Sequence, residues 1–240
     1  MEEIVKIITN MSGKYAPTLI FDDFVKLTAI SFSNSTDIIH TKVWENREEQ
    51  YKSIVLKYTK EEFENFAKIL GILVNLFNEK IYDYLGEIYM KCEMGNNRTG
   101  QFFTPFNLSE LTARLSIDDI EKIKKSDDII TLNEPTCGGG GLILAYLKYL
   151  KENGINYQKR IKIVAQDIDF RSVYMSYIQL SLVGARAKVV QGDTLAEPNV
   201  KDENYIFYTP MWKGLLWRRI TERRINKMCK CCEKIKLKEE

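Results

Sequence analysis

The chain has 240 residues, 45% of them apolar and 28% charged, enough for one substantial core or for one core with a smaller appendage. Its formal net charge is only +2, but the segment from Lys213 to Lys238 carries ten Lys or Arg against two Glu, so the remainder is mildly acidic. It contains no run of about 18 apolar residues to span a bilayer, and the opening MEEIVKIITNMSGKY lacks the basic stretch and long apolar segment of a signal peptide. A cytoplasmic protein with no membrane partner is expected.

In chain order, the first hundred residues read as helical. TLIFDDFVKLTAISFSNS (18–35) and the long stretch from Thr59 to Gly95 place apolar residues at three-and-four spacing, and Thr59 with Glu62 forms a capping-box pattern. Gly95, Asn96, Asn97 and Gly100 then cluster, which puts a boundary near residues 95–100 and a helical N-terminal domain over 1–97. PFNLSELTARL reads as a helix behind Pro105. Four β-rich runs follow, IITLN (129–133), IKIVAQD (161–167), AKVVQGD (187–193) and YIFYTP (205–210), with helical LILAYLKYLKENG and DFRSVYMSYIQLSLVG between the first three. Strands separated by helices of this length predict βαβ units, a parallel sheet and right-handed crossovers. Residues 216–240 form a basic tail in which Trp212 and Trp217 flank the start; it reads either as a phosphate-contacting helix or as a solvated terminus. Its Cys229, Cys231 and Cys232 lack a second ligand pair, and the one histidine, His40, is distant in sequence. No metal site is expected.

The densest chemistry is in TLNEPTCGGGGLILAYL (131–147), where four glycines follow the first strand and open a helix. In open α/β sheets, ligands settle at the carboxyl ends of the strands, near such turns. Gly138 to Gly141 would let backbone approach a ligand, or would serve turn geometry alone. Glu134, Asp167 and Asp193 end the first three strands and so point into one crevice. Carboxylates repel phosphate, and no Gly-Lys-Ser/Thr follows to hold one. A cation bearing hydroxyls and an amino group suits them better, and S-adenosylmethionine fits that description; the alternative is three helix-capping acids with no ligand.

These residues carry a resemblance. GQFFTP (100–105), EPTCGGGG (134–141), AQDID (165–169) and QGDTL (191–195) resemble, in order, the cofactor motifs of gamma-type N6-adenine DNA methyltransferases, in particular type I restriction modification subunits and their phage-encoded relatives. The resemblance implies a Rossmann-like class I methyltransferase sheet over 98–215, truncated on its C-terminal side, behind the helical domain. It implies that Phe102, Phe103, Thr104 and Pro105 line a pocket for the methionine end of S-adenosylmethionine. By the same resemblance Glu134, Cys137, Gly138 and Gly140 form the loop beneath the sulfonium, Asp167 binds the ribose and Asp193 binds the adenine amino group. DNA is the implied substrate, with a specificity or second methylase subunit as partner.

The family's catalytic Asn/Asp-Pro-Pro-aromatic motif is degenerate here. The corresponding stretch is IFYTPMWKG, in which Tyr208, Thr209, Pro210 and Trp212 are the candidate catalytic residues, and neither register supplies a carboxylate or amide. Two hydroxyls, a backbone carbonyl and a stacking ring remain; packing at a sheet edge is the other reading of Tyr208 and Trp212. The sequence therefore leads to an S-adenosylmethionine-dependent N6-adenine DNA methyltransferase of a restriction-modification or phage system. Two rivals stand beside it: a catalytically silent scaffold or modulator, and an RNA or small-molecule methyltransferase. Either the N-terminal portion or a partner completes the sheet, or the gene is truncated.

Overall fold

The computed structural model describes residues 1–93, 103–117 and 119–214. Phe102, the expected boundary at 97/98 and the basic tail with its cysteines lie outside the described residues. Five helices come first: α1 (Glu2–Asn10), α2 (Pro17–Ser35), α3 (Lys42–Val55), α4 (Lys60–Glu79) and α5 (Tyr84–Glu93). After them run α6 (Phe106–Leu115), α7 (Ile120–Lys125), β1 (Ile130–Glu134), α8 (Gly141–Glu152), α9 (Tyr157–Arg160), β2 (Ile161–Asp167), α10 (Phe170–Leu182), β3 (Ala187–Gln191) and β4 (Ile206–Tyr208).

The capping box is present: Thr59 Oγ1 accepts from Glu62 N (3.2 Å), and Thr59 N donates to Glu62 Oε2 (2.7 Å). The single helix suggested by the run from 59 to 95 is instead two. Lys80 is extended (φ −151°, ψ 142°), and beyond this break Ile81, Asp83 and Tyr84 all turn inward to buried positions.

The strands form one sheet in the order β1-β2-β3-β4. β1, β2 and β3 are parallel, with Glu134 level with Ala165 and Asp167 level with Gln191. β4 corrects the expectation of a wholly parallel sheet, since it runs antiparallel to β3 with Tyr208 opposite Lys188. Residues 192–205 hold only a 3-10 turn, Glu203–Tyr205. No helix carries the chain back along the sheet, so it reverses and pairs where it arrives.

Right-handed crossovers through β1, β2 and β3 in sequence put α8 and α10 on one face. That face supplies Ile161, Ile163, Ala165, Ala187, Val189 and Phe207 to the core, while Lys162, Val164, Lys188 and Tyr208 on the other are half-buried. α10 is buried over nine of its thirteen residues because α2 and α5 cover the side turned away from the sheet. The core is consequently continuous from Ile4 to Phe207. One tie across it is Arg171 of α10, which pairs with Asp22 of α2 through two nitrogens and donates to Tyr89 Oη at 2.7 Å. No helix among the described residues is long and apolar enough to cross a membrane.

Candidate cofactor site

The glycine loop crosses the carboxyl ends of β1 and β2 and is pinned from below. Cys137 N donates to Gln166 O (2.8 Å), Gly138 N to Asp167 Oδ2 (2.8 Å) and Gly140 N to Cys137 O (2.8 Å). Gly138 and Gly140 have φ of +51° and +90°, a region that disfavours side chains. A Cβ on Gly140 would stand 2.9 Å from Ser176 Oγ, and one on Gly141 would stand 2.8 Å from Asp83 Oδ2. Close packing thus explains Gly140 and Gly141 without any ligand. Gly138 is different: its bare face meets the Phe103 ring, 3.3 Å from where a Cβ would sit, at the rim of a cavity.

That cavity, about 390 Å3, gathers Phe103, Thr104, Glu134, Cys137 and Gly138. The start of α8 lines it too, through Gly141 and Leu142, and because the Gly140 N-cap brings no side chain, the first-turn N–H groups face it without an intrahelical acceptor. Larger clefts of about 890 and 910 Å3 lie between α2, α3 and α10 and over the open sheet face. Their size is not matched by a loop built for close approach, so the smaller cavity is the site that the chemistry selects.

Asp167, Asp193 and Pro105 do not line this cavity, so of the three strand-end acids only Glu134 does. Asp167 is half-buried; its Oδ2 holds Gly138 N and its Oδ1 accepts from Asp169 N (2.9 Å), which leaves lone pairs on both oxygens. Asp193 is exposed and caps its own turn through Leu195 N (2.9 Å) and Ala196 N (3.2 Å), while Thr194 Oγ1 ties that turn to Pro135 O at 2.5 Å. Pro105 is the N-cap of α6 and lines a neighbouring cavity of about 340 Å3. The Cys137 thiol is buried, and burial pushes its pKa up to about 12, so it is no thiolate nucleophile near neutral pH.

Tyr208, Thr209, Pro210 and Trp212 do not join this group. Thr209 N donates to Ala187 O (3.0 Å), which sets it level with the first residue of β3, whereas Asp167 is level with the last. Four steps along a strand separate those levels by about 13 Å. Thr209 Oγ1 already accepts from Ala187 N and donates to Ala185 O (2.7 Å). Pro210 is exposed, and Trp212 packs on Tyr208 (5.7 Å between centroids) beside Lys162 and Arg186.

Three buried polar residues outside the sequence motifs hold the loop from the helical side. Ser176 Oγ donates to Gly138 O (2.8 Å). Gln179 Nε2 donates to Gly139 O (2.7 Å) and to Asp83 Oδ1 (2.8 Å), while its Oε1 accepts from Leu85 N (3.0 Å). The signal for them was present: polar Ser176 and Gln179 among the large apolar side chains of α10, and an Asp within IYDYLG.

Comparison with known proteins identifies the family. The methylase subunit of the type I restriction enzyme MpnII of Mycoplasma pneumoniae is 25% identical over 186 residues, which is 73% of this chain and 33% of that protein. The chain thus spans about a third of the length of this curated relative. The crystal structure of a type I restriction-modification system methyltransferase subunit from Streptococcus thermophilus is 18% identical, covering 84% of this chain and 45% of that one, with a TM-score of 0.44. The N-6 DNA methylase family profile matches residues 76–233, well over half of the sequence and all of the glycine loop and sheet, and the chain belongs to that family.

Proposed function

We propose that the chain binds S-adenosylmethionine in the glycine-loop cavity and serves as the cofactor-binding part of an N6-adenine DNA methyltransferase of the restriction-modification kind, acting with DNA and with a partner subunit. The observation that carries this reading is the lining of the cavity. A bare Gly138 edge and an uncapped helix start face Glu134 and Asp83, with no lysine or arginine among the described lining residues. A phosphate would meet two carboxylates and no counter-charge there; a sulfonium with an amino group is attracted instead.

Bound there, the cofactor supplies a methyl group on positively charged sulfur. Phe103 and Thr104 would flank its methionine end, Asp167 would accept from ribose hydroxyls and Asp193 from the adenine amino group. Holding the acceptor is a separate task. The lone pair of an adenine amino group is delocalised into the ring, so a side chain or carbonyl must accept its hydrogens while orientation brings it into line.

One observation favours a second reading, in which the chain alone binds cofactor without transferring methyl. Tyr208, Thr209 and Trp212 are engaged at the other end of β3, and Thr209 has both roles of its hydroxyl filled. Calorimetry with S-adenosylmethionine, beside incorporation of tritiated methyl into DNA, separates the two. Cofactor binding with incorporation supports the enzyme; binding without it, even with candidate partner subunits, supports the silent form. Methyl found only in RNA, by nucleoside mass spectrometry, overturns the DNA assignment.

A further inference from the structure

Asp83 Oδ2 and the Ser109 hydroxyl are left over after the loop and its supports are accounted for. Asp83 sits at the break between α4 and α5, is 4% exposed, and lines the same cavity as Phe103 and Thr104. Its Oδ1 accepts from Gly86 N (3.0 Å) and from Gln179 Nε2 (2.8 Å). Its Oδ2 lies beside the bare α-carbons of Gly86 and Gly141, where an added Cβ would come within 2.3 and 2.8 Å of it. Both glycines are thus needed to let this oxygen reach the start of α8. No cation among the described residues offsets the carboxylate; burial raises its pKa, and Glu87 adds like charge. A buried carboxylate in that state is costly unless a positive group arrives. Ser109, on α6, is 1% exposed and lines the same cavity, and its hydroxyl has no hydrogen-bond partner among the described residues. An unsatisfied buried hydroxyl and an uncompensated acid lining one cavity make a polar site suited to a ligand with charged groups.

We infer that Asp83 and Ser109 form the subsite for the amino-acid end of the cofactor, with Asp83 receiving the α-ammonium and Ser109 donating to the α-carboxylate. This rests on the reading that the cavity binds S-adenosylmethionine. It assigns recognition to the helical segment, through Asp83 just before α5 and Ser109 on α6.

The test compares two adenine nucleosides by calorimetry: S-adenosylhomocysteine, which carries the amino-acid end, and 5′-methylthioadenosine, which lacks it. Wild type is expected to bind the first more tightly. Asp83→Asn keeps an oxygen to accept from Gly86 and Gln179 but replaces Oδ2 by an N–H donor. It is expected to weaken S-adenosylhomocysteine at least ~10-fold while changing 5′-methylthioadenosine less than ~2-fold, with Ser109→Ala giving a smaller loss of the same selectivity. Equal losses for both nucleosides, or no loss for S-adenosylhomocysteine in either variant, overturn the subsite while leaving cofactor binding itself standing. If wild type binds neither nucleoside, the cofactor reading fails and the subsite with it.

Discussion

Substitution of Gly140 by Ala separates the two reasons for a bare backbone in the loop. Gly140 has φ of +90°, where an L side chain costs about 1–2 kcal/mol. Its new Cβ would also stand 2.9 Å from Ser176 Oγ and 3.4 Å from Ser176 Cα on a helix packed on both sides. Overpacking of that kind costs about 1–3 kcal/mol. Gly154 provides the control, with φ of +77° and nothing within 4 Å of the added atom. The loss of unfolded-chain entropy on replacing Gly by Ala is common to both and cancels in the comparison. Gly140→Ala is therefore expected to lower stability in urea unfolding by about 2–5 kcal/mol and Gly154→Ala by about 1–2 kcal/mol. Equal losses would refute the claim that the loop is wedged against α10.

Removal of Arg47 tests how β4 is held. Its guanidinium is buried, donates to Ser33 Oγ (2.6 Å) and Ile206 O (2.8 Å), and lies 4.1 Å from the Phe207 ring centre. Arg47→Met should cost about 3 kcal/mol or more in chemical denaturation by leaving those acceptors unsatisfied; a loss below about 0.5 kcal/mol would remove it from the account. Asp83 predicts a pH effect in the ligand-free protein. Burial raises its folded pKa, so between the unfolded and folded values the native state holds the extra proton and stability falls as pH rises. Wild type should accordingly lose stability relative to Asp83→Asn on going from acid to neutral pH, and parallel melting profiles across that range would contradict the shift. Cys137, with its pKa pushed to about 12, should stay unlabelled by iodoacetamide at pH 8 in peptide mapping of the native protein, and rapid labelling would show the loop to be open. Asp193→Ala should weaken S-adenosylmethionine by about 1–3 kcal/mol through the adenine amino group's lost acceptor, and unchanged affinity would take the residue out of the site.

The parts legible in the sequence are those fixed by local pattern. The bounds of β2 follow from its alternation between Gly154 and the Asp169 cap, and the capping box follows from Thr59 and Glu62. The glycine loop was legible because positive φ is written into composition at Gly138 and Gly140. The break at Lys80 was not, because IYDYLG continues an apolar rhythm and no glycine or proline between Gly71 and Gly86 marks the bend. The direction of β4 depended on the absence of a helix in 192–205, a region whose length alone allows either direction. Asp83 and Gln179 stand 96 positions apart, and no local period links them to Gly139.

The most direct measurement is ultraviolet cross-linking of tritiated-methyl S-adenosylmethionine, followed by peptide mapping with unlabelled S-adenosylhomocysteine as competitor. Competable label is expected in peptides holding Phe103, the 134–142 loop or the segment from Asp167 to Asp193. Label confined to the cleft over the open sheet face, around Trp212 and Lys213, or label that competitor does not displace, would contradict it.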